Sequence, residues 1–320
     1  MPSGKLAIVT ICSLTLILPS LTIAQTAPPT DDRIHQAINS FPEPALVKYA
    51  KARDTEDRKI DLFFGDWRES MPRQRHGALI LRDILTHGDN FAPPQKAAVL
   101  QYTNFLSYAT LPAGASTTPA RLEGQQEIYY VVDGSGKITA GGETANLHNG
   151  SAVLMPAQLE FVMQNTGDEP LHMYIINEPT PGEFRPNDKM LVKDEQTATM
   201  RALNAHPLDS KAVRGHWAHI VRELFQTSEG LGTLESVITV ELDPLTLGEP
   251  HPHQPGHEEV WTAIEGTSLA MMGTELRLQH PGMAFMLRPD GLTLHSNINY
   301  GDTRVKFLYF ARSKEHNVRK

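Results

Sequence analysis

Three stretches of this chain recur, in the same order, further along it. Residues 76–85 (His-Gly-Ala-Leu-Ile-Leu-Arg-Asp-Ile-Leu) align without a gap on 216–225 (His-Trp-Ala-His-Ile-Val-Arg-Glu-Leu-Phe). Residues 127–134, ending at Gly134, match 259–266, ending at Gly266, and 150–156 followed by Asn165 answers 282–289 followed by Asn299. Ordered self-similarity of this kind means one structural unit present twice. A length of 320 residues accommodates two cores. With 40% hydrophobic and 21% charged residues, the composition is that of globular domains and excludes a disordered or multispanning chain.

Each copy is a series of short apolar runs separated by turn residues. In the second copy the runs cover 236–242, 260–264, 268–272, 275–278, 283–287 and 305–311, with Gly273-Thr274, Pro281-Gly282 and Pro289-Asp290-Gly291 between them. This predicts an antiparallel sandwich or barrel. Between the copies, 178–215 is rich in Pro and charge and reads as a surface linker with a short helix around 197–203.

The N-terminus is of another kind. Lys5 precedes an apolar run from Leu6 to Leu18, then Pro19, Ser20, Thr22 and Ala24. That order is the layout of a secretory signal peptide cleaved after Ala24. Asp31-Asp32 with Ile34 and Ile38, then Leu46, Tyr49 and Ala50, predict a small helical arm, and the aromatics Phe63, Phe64 and Trp67 read as packing groups. The single cysteine, Cys12, falls in the signal segment, so the mature chain forms no disulfide and relies on its core. The formal charge of −8 without a basic stripe argues against nucleic acid, and against a membrane surface after signal cleavage.

Chemistry concentrates in the second copy. His251 and His253 are one residue apart, so on an extended chain both imidazoles point the same way. Gln254-Pro255-Gly256 turns the chain, and Glu259 heads the next run with Trp261 and Ala263 on its face; Glu258 faces the opposite side. His295 follows after Pro289-Asp290-Gly291. Three neutral imidazoles and a carboxylate suit one divalent transition metal, whether Fe, Mn, Cu, Zn or Ni, with positions left for water or substrate. His257 is open to three readings: a loop residue, a proton shuttle or an alternative ligand.

These residues resemble the two motifs of the cupin superfamily. Gly248, His251, His253, Glu259 and Gly266 match the first motif, and Gly282, Pro289, Gly291, His295 and Asn299 match the second. Two spacings depart from the pattern: fewer residues separate Gly248 from His251, and the loop from His253 to Glu259 is longer. The resemblance covers 98–312, about two thirds of the chain. It implies an all-β fold with a small helical N-terminal arm and two tandem double-stranded β-helix (jelly-roll) barrels. The expected divisions are a signal peptide at 1–24, an arm and lead-in at 25–97, a first barrel at 98–178, a linker and lead-in at 179–230 and a second barrel at 231–315. It implies His251, His253, Glu259 and His295 as metal ligands. In the first copy Pro119, Arg121 and Phe161 stand at the imidazole positions while Glu127 is kept, so that barrel is expected to hold no metal, with Arg121 paired to Glu127.

Cupins host many chemistries, so the fold does not choose among them. The reading that follows is an exported, periplasmic or secreted metalloenzyme acting on a small oxygen-bearing molecule. Oxygenase-type oxidoreductase chemistry ranks first; an isomerase, lyase or decarboxylase, or a non-catalytic binding protein, is the alternative. His257 and Trp261 are the candidate catalytic groups, with Trp261 walling the pocket. The resemblance also implies that two copies can pair as a homodimer through barrel edges. Protein isolated from its native compartment is expected to begin at Gln25, which intact-mass measurement checks.

Overall fold

Strand alternation builds both barrels. The computed structural model describes residues 60–202 and 218–312, all within one compact unit, Pro44–Lys320. The first barrel has a large sheet in the order Leu191–Asp194, Ser151–Met155, Gln125–Asp133, Leu171–Pro179, Phe105–Leu111, Leu79–His87 and Arg73–Arg75. A small sheet of Phe161–Asn165, Gly136–Ala140 and Glu143–Leu147 faces it. The second barrel repeats the plan. Its large sheet runs Phe64–Asp66, Met283–Leu287, Glu258–Glu265, Val305–Arg312, Ser236–Leu242, His219–Gln226 and Met200–Ala202. Its small sheet is Thr246–Leu247, His295–Asn299, Ser268–Met272 and Glu275–Gln279. The fold is all-β, two jelly-roll barrels in tandem.

The duplication extends to individual hydrogen bonds. Asn165 donates from Nδ2 to Leu111 O and Glu169 O and accepts from Gly167 N. Asn299 does the same with Leu242 O, Thr303 O and Gly301 N. Gly134 and Gly266 both adopt left-handed backbone, φ 87° and 74°, at the same turn, where a side chain would be strained.

The barrels meet through the outer faces of their large sheets. In the first, Tyr129, Val131, Val153 and Met155 point into the barrel, whereas Ile128, Tyr130, Leu154, Tyr174 and Ile176 point out. These outer residues join Val260, Met286, Leu308 and Phe310 of the second barrel in one continuous core. Tyr174 Oη donates across the junction to Ala263 O at 3.1 Å.

Two chain segments strap the junction. Phe64–Asp66 precedes the first barrel but pairs with the second, Phe64 opposite Phe285. Residues 191–202, expected as surface linker with a short helix, instead contribute Leu191–Asp194 to the first sheet and Met200–Ala202 to the second. A connection lying between two open sheet edges satisfies its backbone groups by pairing with them. Between these strands Glu195 is buried and accepts from Tyr130 Oη, Thr239 Oγ1 and Lys306 Nζ at 2.6 to 2.7 Å. The first barrel therefore recruits strands ahead of residue 98 and beyond residue 178. The expected helices of the arm lie outside the described residues; Ile60–Phe63 and Trp67–Glu69 are short 3-10 turns.

Glu178, at the end of Leu171–Pro179, clasps the start of the second barrel. Its carboxylate is fully buried and accepts from the amides of Gly232, Thr233 and Leu234 at 2.7 to 2.9 Å and from Gln126 Nε2 at 2.6 Å. Burial pushes its pKa up while these donors oppose the rise. Glu178→Ala strands three buried amides, each costing about 1–3 kcal/mol. It is expected to destabilise the protein by about 3 kcal/mol or more in urea unfolding, with Glu178→Gln milder because one acceptor oxygen remains.

Candidate metal centre

The loop after Thr246–Leu247 lays His251 against the first residue of His295–Asn299. The two backbones exchange hydrogen bonds, His251 N to His295 O at 3.2 Å and His295 N to His251 O at 3.1 Å, so the imidazoles sit side by side with centroids 4.5 Å apart. His295 Nδ1 lies 2.9 Å from His251 O and His251 Nδ1 lies 2.7 Å from Glu249 O. A carbonyl only accepts, so both Nδ1 atoms carry the proton and both Nε2 lone pairs are left for the site. His253, two residues on, adds its ring 5.0 Å from each.

Glu259 enters from Glu258–Glu265 on the face that parity dictates. Its Oε2 is 2.7 Å from His253 Nε2 and 3.6 Å from His257 Nε2, and its Oε1 is 2.8 Å from His295 Nε2. Trp261 Nε1 donates to Oε1 at 2.5 Å and Tyr309 Oη to Oε2 at 3.0 Å. Trp261, expected to wall the pocket, is 3% exposed, with its edge or face against Phe307 and Tyr309. Tyr309 was not among the candidates read from the sequence. It stands opposite Trp261 in the ladder, a register that the sequence does not specify. Glu258 faces the first barrel, where Gln101 N donates to it at 2.9 Å.

The donor atoms of His251, His253 and His295 lie within 4.8 Å of one another, as do those of His253, His257 and Glu259. The Nε2 atoms of His253 and His257 are buried, and apart from Glu259 Oε2, at 2.7 Å and 3.6 Å, no protein group meets them, an arrangement open to an ion. Charge agrees. Burial works against ionised Glu259, but His295 and His253 beside it hold its pKa well below the usual carboxylate range. Burial, with His295 nearby, lowers His251 to about 4 and so keeps it a neutral donor. A His/Glu cluster able to hold a metal ion is thus present in the second barrel. A separate surface groove of about 720 Å³, lined by His148, Lys193 and Asp194 among others, takes in none of these residues.

In the first barrel the equivalent carboxylate is served by the protein itself. Glu127 is fully buried and pairs with Arg75 at 2.5 Å and His76 Nε2 at 3.0 Å. It also accepts from Tyr129 Oη and Asn177 Nδ2. The expected partner Arg121 is exposed and is replaced by Arg75 from the edge strand Arg73–Arg75, which crosses to that end of the barrel. Phe161 packs its ring against His76 and Tyr129 where the second barrel has His295.

Residues 107–177, within the first barrel, match the family model described as a cupin domain. Solved structures extend the likeness over both barrels. AerE from Microcystis aeruginosa superposes with a TM-score of 0.56 at 12% identity, covering 79% of this chain and 100% of that one. This chain has the fold of two cupin barrels in tandem. The oxalate decarboxylase of Lactobacillus farciminis, solved as a formate complex, gives 0.56 at 12% identity over 80% of this chain and 87% of its own. The 7S globulin of Momordica charantia gives 0.55 at 12% over 79% and 85%. No curated protein sequence matches the chain. At these identities the likeness establishes the fold alone.

The first-barrel cluster has a pH signature. Burial raises the pKa of Glu127, but His76, Arg75 and Tyr129 outweigh it and bring it to about 2. A carboxylate depressed in the folded state adds stability above its unfolded pKa of 4.5, and that contribution disappears as pH falls towards 2. Glu127→Gln is expected to be less stable at neutral pH and to lose less between pH 4.5 and 2, measured as the urea midpoint against pH.

Proposed function

We propose that this protein is an exported metal-dependent enzyme acting on a small oxygen-bearing molecule, with one divalent transition ion per chain held by His251, His253, His295 and Glu259. The observation that carries the reading is the convergence of these donors inside one barrel, while the same position in its duplicate is filled by Arg75. Three neutral nitrogens and one carboxylate suit Fe, Mn, Ni, Cu or Zn. When bound, such an ion polarises a substrate oxygen or, if redox-active, supports dioxygen chemistry.

The chain's own residues set the conditions. Glu249 O and His251 O fix the tautomers of His251 and His295. Trp261 and Tyr309 hold both oxygens of Glu259 in place, the role that outer-shell donors play at metal sites. Buried Trp261 and Phe307, with partly buried Tyr309, form an aromatic wall that limits water on the carboxylate side, which strengthens the polar contacts there. Oxygenase-type chemistry ranks first. Decarboxylation of a small acid is the second reading, favoured by the name of the oxalate decarboxylase that shares the fold.

Export is supported by the apolar run from Leu6 to Leu18 followed by Pro19, Ser20, Thr22 and Ala24, the layout of a cleaved leader. A chain that takes its ion outside the cytoplasm meets an affinity order favouring Cu or Zn. Elemental analysis of native protein is expected to give one metal per chain, reduced to near zero by His295→Ala and by His251→Ala with His253→Ala. Dioxygen uptake with candidate small acids separates the oxygenase from carbon dioxide release without uptake. Ligand binding unchanged in the double variant would refute the metal-centred reading.

A further inference from the structure

His257 lies in the segment where this chain departs from the cupin spacing, the lengthened loop between His253 and Glu259. A histidine in a surface turn ordinarily points to solvent. Here Gln254 and Pro255 are exposed, yet His257 is only 9% exposed. The turn itself forces this. His257 N donates to Gln254 O at 3.1 Å and Gly256 N to Pro289 O at 2.9 Å, with Gly256 in left-handed backbone at φ 86°. Pro255 packs so closely on Gly291 that a side chain there would lie 2.6 Å from Pro255 Cγ. The turn is therefore clamped onto the loop that leads to His295, and its last residue swings inward.

Once inside, the imidazole stacks on His253 with centroids 4.3 Å apart and planes 20° apart. Both rings direct Nε2 at the same carboxylate oxygen of Glu259. The separation of 3.6 Å from His257 is beyond hydrogen-bond length, so His257 Nε2 is buried with this charge contact to Glu259 but no hydrogen-bond partner. A buried nitrogen without a hydrogen bond is costly unless something else satisfies it. Its donor-atom neighbours within 4.8 Å are those of His253 and Glu259, and His253 in turn groups with His251 and His295.

We propose that His257 is a further direct ligand of the metal centre, which would then be held by four imidazoles and Glu259. The inference rests on the metal-centred reading above and sharpens it. Five protein donors leave a six-coordinate ion one open position. The centre then accepts a single oxygen atom of substrate, or one small molecule, and cannot chelate an acid through two oxygens.

The test loads the full mature protein with Cu(II) and counts coordinated imidazoles by pulsed electron paramagnetic resonance. Four are expected in the wild type and three in His257→Gln, with His280→Gln, whose side chain meets Thr267 instead, still giving four. Retention of Cu(II) against a chelator should weaken by roughly tenfold or more in His257→Gln, the scale at which even supporting residues act. Three imidazoles in the wild type would overturn the proposal, and this count needs no variant to fold. An unchanged count in a folded His257→Gln would overturn it equally. If the wild type binds no Cu(II), or binds it as well after His295→Ala, the metal-centred reading itself falls, and the ligand role of His257 with it.

Discussion

The described residues are organised around the burial of two sheet faces against each other. The large sheets turn Ile128, Tyr130, Leu154 and Tyr174 on one side and Val260, Met286, Leu308 and Phe310 on the other into a single core. Burial of this kind is the main favourable contribution to folding, and it also fixes register. A slip by one residue would send these side chains into the barrels and the barrel-lining residues into the junction. Glu258 and Glu259 make the point in one place. The shared core places the first of them against the other barrel, beside Gln101, and the second among the imidazoles.

The duplicate barrels solve one electrostatic problem in two ways. A buried carboxylate needs compensation or it takes up a proton. In each copy it receives a hydrogen bond from the residue two positions on, Tyr129 or Trp261, which shares its face of the strand. Beyond that the copies diverge. Glu127 has a guanidinium within reach, whereas Glu259 is surrounded by rings that are neutral donors when unprotonated. The divergence is carried by few residues. Arg75 comes from the edge strand of the first barrel's large sheet, and His251 and His253 come from a loop before the main strand of the second.

How much of this could be read from the sequence follows from which physics is local. The recurrence of Glu127–Gly134 at Glu259–Gly266 reports strands whose alternation and turns are set by neighbouring residues, so the two barrels and the inward side of Glu259 were legible. The pair His251 and His253 was legible because alternate residues of an extended chain share a face, whereas His295, 44 residues beyond His251, came from the cupin resemblance and is brought in by backbone pairing with His251. Three features were not legible. Arg75 reaches Glu127 across a sheet, Tyr309 meets Glu259 through strand order, and residues 191–202 become edge strands because two open edges await them. Each depends on which strands become neighbours, and proline and charge in a linker carry no such information. The expectation for Arg121 failed for the same reason. Closeness in sequence to Glu127 is not closeness in the barrel.

The Arg75–Glu127 pair has a consequence for assembly. A guanidinium belongs to the chain and cannot be stripped by a chelator or displaced by a competing ion. The first barrel can therefore reach its final charge balance whatever the supply of metal. Because its outer face is half of the shared core, it presents the second barrel with a finished surface to fold against. The half of the duplicated fold whose carboxylate is paired within the chain becomes a scaffold for the half that carries the His/Glu cluster.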